Sequence, residues 1–395
     1  MQPPRLHEFL AVGALILVGI VGGRLLGKLR IPTVTSYMLL GLVAGPSALG
    51  ILSENVLVEL KPIRDLALGL IMFHVGGQLD LSKRGRERLL QALRLGGAEA
   101  LITLAVTLVA LWLAGAPPGL AVAAAVICCS SSPAVILLVV RQYGAKGPVT
   151  DSLLSAAAVD NSLSFALFAL VLPFLHASAG MTGPEVLLHP LYLLLGSGAV
   201  GGALGAGLGW LEDRAPDSDH YTLQIGFLVL ALGIALSINL SPLATSLALG
   251  AGAASFARRG VTLTDFGRVE QPFLMLLFLM AGAGLHLSGL LHAGILGVVL
   301  VAGRLVGKML GGLAGGLLAR QPLQTSVLLG LGLSPLAGMA IGLTSLLSSL
   351  HPEVGGQTAA LVLAAIAVFE TIGPPLTQLA MSRAGELDAD KSLHH

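Results

Sequence analysis

Long apolar runs separated by short polar clusters dominate this chain, and the runs are close to the length of about 20 residues that a helix needs to cross a bilayer. On that criterion about thirteen candidate spans follow one another, at 8–28, 33–50, 62–80, 89–115, 118–141, 149–177, 186–212, 221–238, 241–257, 270–290, 291–318, 324–349 and 357–383. The connections are too short for a soluble domain, and 384–395 reads as a polar tail. The first run continues almost directly into the second, a pattern unlike a cleaved leader. The expected fold is an all-α polytopic membrane protein.

Composition agrees with the pattern. Of 395 residues 55% are hydrophobic and 11% charged, whereas a soluble domain carries roughly a quarter charged residues. Glycine is abundant at 52 residues and aromatics are scarce at 4%, which suits helices that pack closely within a membrane. A net charge of +1 leaves neither a nucleic-acid footprint nor an acidic tail. Cys128 and Cys129 adjoin inside an apolar run and read as small hydrophobes.

Lys and Arg gather on alternate connections: Arg24, Lys28 and Arg30; Lys83, Arg84, Arg86 and Arg88; Arg141 and Lys146; Arg258, Arg259 and Arg268; and Arg320. The opposite connections hold almost none, Lys61 and Arg64 excepted. The positive-inside rule then puts the N-terminus outside and the C-terminus in the cytoplasm.

The chain also echoes itself. TSYMLLGLVAGPS (35–47) resembles TSLALGAGAAS (245–255), and LGLIMFHVGGQLDLS (68–82) resembles LLFLMAGAGLHLS (276–288). SSSPAVIL (130–137) resembles GLSPLAGM (332–339), and Asp160 has its counterpart in Glu370. The division this suggests is a first six-span repeat over 1–177, a linking span over 186–212 and a second repeat over 221–383. An odd offset in span number inverts the second copy. Inverted repeats are a mark of secondary transporters, whose binding site lies near the midplane between the copies.

Charge inside the hydrocarbon costs at least about 2.5–3.5 kcal/mol per residue, so ionisable residues there are functional candidates. Asp160, Arg304, Lys308 and Glu370 read as the only charges deep in the spans. Ser130, Ser131, Ser132 and Pro133 in one span, and Ser334 and Pro335 in another, mark breaks: proline removes a backbone donor and clashes with the preceding turn. Two broken helices at matched positions of two repeats offer half-helix ends to an ion.

These residues carry a resemblance. IPTVTSYMLLGLVAGPSALG (31–50), SSSPAVILLVVRQYG (130–144), AAAVDN (156–161), GRLVGK (303–308), SPLAG (334–338) and FETIGPPL (369–376) resemble, in order, segments of the bacterial sodium/proton antiporters of the monovalent cation/proton antiporter superfamily. The resemblance implies transport of a monovalent cation against protons in the bacterial cytoplasmic membrane. It also implies a homodimer with a scaffold of spans 1–3 and 8–10, and a core of spans 4–6 and 11–13 that moves as an elevator. In that family a paired Asp-Asp or Asn-Asp motif binds ion and proton alternately. Here the pair reads Asp160-Asn161. In direct register Asn161 takes the ion-binding place, with a one-residue shift Asp160 does, and an introduced Asp-to-Asn change is a third possibility. Asp160 is the expected carrier of Na+ and H+ under all three, since it is the only carboxylate deep in its helix.

Asn161, Ser131 and Ser132, with Ser334 a weaker candidate, are expected to supply oxygen ligands to a hard cation. Arginine stays charged in proteins, so Arg304 is expected to hold Asp160 or to organise the breaks without cycling a proton, giving electroneutral one-for-one exchange. Lys308 is expected to snorkel toward the cytoplasmic interface. Glu370 is expected to brace the crossing of the breaks with an arginine or free amides. His74 reads as packed or hydrogen-bonded, and Gln78 and Asp80 as solvated. No cofactor, phosphate loop or nucleophile constellation appears, so an enzyme is not expected. The alternatives are a potassium efflux system of the same superfamily, a sodium-coupled symporter for an organic anion, and a non-transporting sensor or disabled variant owing to Asn161.

Overall fold

Helices account for the architecture, and among the described residues there is no strand. The structure is a computed structural model, which describes residues 8–27, 33–46, 48–77, 79, 86–178, 185–257, 267–284 and 294–388. The principal helices are α1 (Glu8–Gly27), α2 (Thr33–Ala44), α3 (Lys61–Gly77), α4 (Ala98–Leu113), α5 (Pro118–Cys128), α6 (Pro133–Tyr143), α7 (Pro148–Ser178) and α8 (Ser197–Glu212). They continue as α9 (Asp217–Ser237), α10 (Pro242–Phe256), α11 (Gly267–Ala283), α12 (Gly294–Leu318), α13 (Leu323–Gly332), α14 (Gly338–Leu350) and α15 (Pro352–Arg383).

Among the described residues seven helical stretches are long and apolar enough to cross a membrane, and others, α10 and α13 among them, are apolar but shorter. Their outward faces carry large apolar side chains: Leu113 is 75% exposed, Ile295 76% and Leu170 69%. Such a surface requires lipid or protein against it.

The two proline-containing spans are interrupted. Between α5 and α6 residues 129–132 leave helical geometry, and Ser132 caps α6 by accepting from the Val135 N–H at 3.5 Å. Between α13 and α14 residues 333–337 do the same. The interruptions touch directly, the Ser132 N–H donating to the Pro335 carbonyl at 2.9 Å.

Glycine sets which helices meet. Gly303, Gly307, Gly311 and Gly315 repeat every fourth residue along α12. A Cβ at Gly307 would lie 2.8 Å from Thr103 Cα and one at Gly311 2.6 Å from the Glu99 carbonyl oxygen. The backbones of α12 and α4 therefore meet without side chains between them, as in small-residue membrane contacts. Two further pairs close the same way, α2 on α11 through Gly41 and Gly282, and α3 on α10 through Gly76 and Gly250.

Residues 384–388, which follow α15, pack back onto the start of α7. Glu386 accepts from the Val149 and Thr150 N–H groups at 2.7 and 2.8 Å, at the positive end of the α7 dipole. The cations at 28, 30, 83, 84, 258 and 259, on which the expected orientation partly rests, lie outside the described residues, as do Gln78 and Asp80.

Candidate functional site

The meeting of the two breaks is where the buried charges gather. Asp160 and Asn161 sit on α7 facing residues 129–132, and both are fully buried. Ser131 donates its hydroxyl to Asp160 Oδ2 and its N–H to Oδ1 at 3.3 Å. Asn161 Nδ2 donates to Asp160 Oδ1 at 2.9 Å, to the Ser131 carbonyl at 2.9 Å and to the Ala157 carbonyl at 2.7 Å. That leaves Asn161 Oδ1 buried with no hydrogen-bond partner among the described residues. A backbone N–H, a hydroxyl and an amide thus converge on one carboxylate, beside an acceptor that has nothing to accept.

Lys308 completes the cluster. It does not reach for an interface: it is fully buried, and its Nζ donates to the Cys129 carbonyl and to Ser131 Oγ, both at 2.8 Å. It lies 2.9 Å from Glu99 Oε1 and 3.5 Å from Asp160 Oδ2. The expectation of a snorkelling lysine is overturned because a carboxylate on the facing helix outweighs the pull of the interface.

That carboxylate, Glu99, was not among the expected charges, so the count of four deep ionisable residues was one short. The same criterion of depth would have found it, about ten residues into its run. The basic cluster just before it gives that end of the run the look of a membrane edge. A π-helical turn over Leu93–Gly97 precedes it, such turns being frequent at functional positions. Gly96 there lies against the Ala156 backbone, which brings the start of α4 onto α7.

Arg304 reaches the backbone carbonyls of both breaks. Its Nε donates to the Cys128 carbonyl at 2.8 Å, Nη1 to the Ser334 carbonyl at 2.6 Å, and Nη2 to the Ser130 and Pro335 carbonyls at 2.8 and 3.3 Å. The guanidinium stacks over Phe369 at 4.2 Å. It pins the two breaks together, and the ammonium beside Asp160 belongs to Lys308. Ser334 joins through its carbonyl, its hydroxyl donating back to Gly330 at 3.3 Å. The Ser132 hydroxyl is engaged in capping α6.

Glu370 stands apart. It is fully buried, and neither oxygen has a hydrogen-bond partner among the described residues. It does not brace the crossing through hydrogen bonds to an arginine or to amides. It lines a cavity of about 290 Å³ together with Lys61, Arg64, Ala134, Phe278 and Gly338. His74 is buried in α3, its ring edge-on to Phe73.

Comparison with known families matches the model described as "Sodium/hydrogen exchanger, transmembrane" over residues 13–381. The chain belongs to this sodium/hydrogen exchanger family. No curated protein matches it. Its fold is similar to that of MjNhaP1, a sodium proton antiporter from Methanocaldococcus jannaschii, in two structures. The one at pH 8 aligns with a TM-score of 0.67 at 16% identity, covering 98% of each chain. The other, an electron-microscopy map, aligns at 0.72 and 18% identity over 95% of each. The Asp160 cluster falls inside the matched segment, as do Glu99, Arg304, Lys308 and Glu370. The family is one of transporters, and this exchanger is a polytopic helical membrane protein.

Proposed function

We propose that this exchanger moves sodium against protons, one for one, with Asp160 as the group that holds each in turn. The observation that carries the proposal is the convergence of Ser131, Asn161 and Lys308 on a fully buried Asp160 at the point where the two breaks touch. A hard monovalent cation favours oxygen ligands. The Asp160 carboxylate, Ser131 Oγ and the unpartnered Asn161 Oδ1 are such ligands within one cluster, and a proton on Asp160 occupies the same oxygen that the cation needs. Competition for that oxygen couples the two fluxes without any further energy source.

The one-for-one ratio does not rest on arginine as Asp160's partner, because Arg304 serves carbonyls instead. Its support is that one carboxylate trades its occupant while Lys308 has a carboxylate of its own in Glu99. The inverted repeats belong to the same proposal. Their support is reciprocal packing: the second span of each copy lies on the third span of the other, α2 on α11 and α10 on α3, while α4 meets its counterpart α12. An elevator movement of the core between dimeric scaffolds is the form of transport that the resemblance implies for such an arrangement.

The test is proton flux in proteoliposomes after sodium or potassium is added to one side, with the membrane potential clamped and then free. Expected is sodium-driven flux, lost in Asp160→Ala and indifferent to voltage. Flux that survives Asp160→Ala rejects the carrier. Voltage-driven exchange rejects the one-for-one ratio. No flux with either cation, followed by activity in Asn161→Asp, moves the carrier to position 161.

A further inference from the structure

Lys308 stands between two carboxylates, and it is not centred. Its Nζ is 2.9 Å from Glu99 and 3.5 Å from Asp160. Glu99 is itself held, its Oε1 accepting from Thr103 Oγ1 one turn along α4 at 2.8 Å. Its backbone is pressed against Gly311, which admits no side chain. The ammonium is thus drawn toward a fixed carboxylate and lies at the long end of hydrogen-bonding range from the carrier.

We propose that Glu99 is a positioning residue: it holds the Lys308 ammonium off Asp160 and so sets the affinity of the site for the transported cation. This rests on the reading of Asp160 as carrier. An ammonium closed onto Asp160 occupies the ground a sodium ion must take, and sodium can enter only by displacing it. With Glu99 in place the displaced ammonium keeps a full ion pair. Without Glu99 it has two carbonyl-type or hydroxyl acceptors and no counter-charge, so displacement leaves a buried cation unpaired, which is expensive. The two carboxylate oxygens are no more than about 6.4 Å apart, given the two distances to Nζ.

The experiment measures the sodium dependence of proton flux in proteoliposomes for the full chain, its Glu99→Gln and Glu99→Asp variants, and Glu99→Gln in a Lys308→Gln background. Thermal stabilisation of the detergent-solubilised protein by sodium chloride reports binding without transport. Glu99→Gln is expected to raise the KM for sodium about tenfold or more. The sodium concentration for half-maximal stabilisation should rise by the same factor, maximal flux staying within about threefold. Glu99→Asp recovers part of the affinity. In the Lys308→Gln background the effect of Glu99→Gln shrinks by at least about threefold, since no ammonium remains to close. Thr103→Val removes only the hydroxyl that orients Glu99, and is expected to raise the KM in the same direction by about threefold even where Glu99→Gln does not fold.

An unchanged KM in folded Glu99→Gln or in Thr103→Val overturns the proposal. So does an equal rise with and without Lys308, which would mean that Glu99 acts by its charge alone. A wild-type protein that sodium neither drives nor stabilises overturns the exchange reading and this inference with it. A responsive wild type beside an indifferent Glu99→Gln overturns only the inference.

Discussion

Arg304→Lys separates a bridge from a charge. The guanidinium serves four carbonyls that belong to both breaks, through Nε, Nη1 and Nη2. A lysine ammonium keeps the positive charge but offers its donors from a single nitrogen, so it reaches one of the three carbonyls that depend on Arg304 and strands two, the Pro335 carbonyl keeping the Ser132 N–H. Each buried acceptor left without a donor costs about 1–3 kcal/mol, or about 2–6 kcal/mol for two. At about 2 °C per kcal/mol for a chain of this size, the midpoint of thermal unfolding falls by about 4–12 °C. Tryptophan fluorescence or size-exclusion recovery of the detergent-solubilised variant after heating measures it. If Arg304 were instead Asp160's charge partner, lysine would preserve the pair and the midpoint while altering cation affinity. A variant that unfolds within about 2 °C of wild type refutes the bridge.

Two shorter predictions follow from packing. Gly311→Val places a branched side chain where even a Cβ would be 2.6 Å from the Glu99 carbonyl oxygen. It should force α4 and α12 apart at a cost of at least about 1–3 kcal/mol, seen as a lower unfolding midpoint together with a raised sodium KM; an unshifted midpoint would count against the backbone contact. Glu370→Gln gives up no hydrogen bond among the described residues, where neither oxygen makes one, and it removes a buried carboxyl without a partner there. Its unfolding midpoint should equal or exceed that of wild type, and a fall of several degrees would reveal a partner that the structure does not show.

The parts of the site that could be read from the chain are those that announce themselves locally. A proline after three serines, a second one after Leu-Ser, and Asp160 in a run of alanines each break the apolar pattern where they stand. Lys308 and Glu99 could not be placed in this way. A lysine one turn from Arg304 has two destinations, the interface or a partner across the bundle, and the choice depends on which helix faces α12. The four-residue glycine spacing from Gly303 to Gly315 is visible in the sequence and announces a close helix contact. It does not say that the facing helix is α4, nor that Glu99 lies at the height of Lys308. That information is tertiary. The same limit explains Arg304: its charge was legible, but its partners are carbonyls, which every residue has and none advertises.

Those carbonyls also explain why the two basic residues divide their work. A helix leaves its last carbonyls unsatisfied and its end partly negative. The breaks bring two such ends together, the end of α5 at Cys128 to Ser130 and the end of α13 at Ser334 and Pro335, and Arg304 sits on both. On the other side of the first break, the Ser131 N–H, at the beginning of α6, points at Asp160. One interruption therefore presents a negative end to a cation and a positive end to an anion, in opposite directions. The guanidinium, whose donors are spread over several atoms, suits the task that must not change during transport, because letting go would strand three acceptors at once, the Pro335 carbonyl alone keeping the Ser132 N–H. The ammonium, a single nitrogen with Glu99 and Asp160 both in reach, gives up one contact while keeping another. In the proposed exchange, a site that must release and rebind an ion needs its movable charge to be of the second kind, and Lys308, one turn beyond Arg304 on the same face of α12, is placed to be that charge.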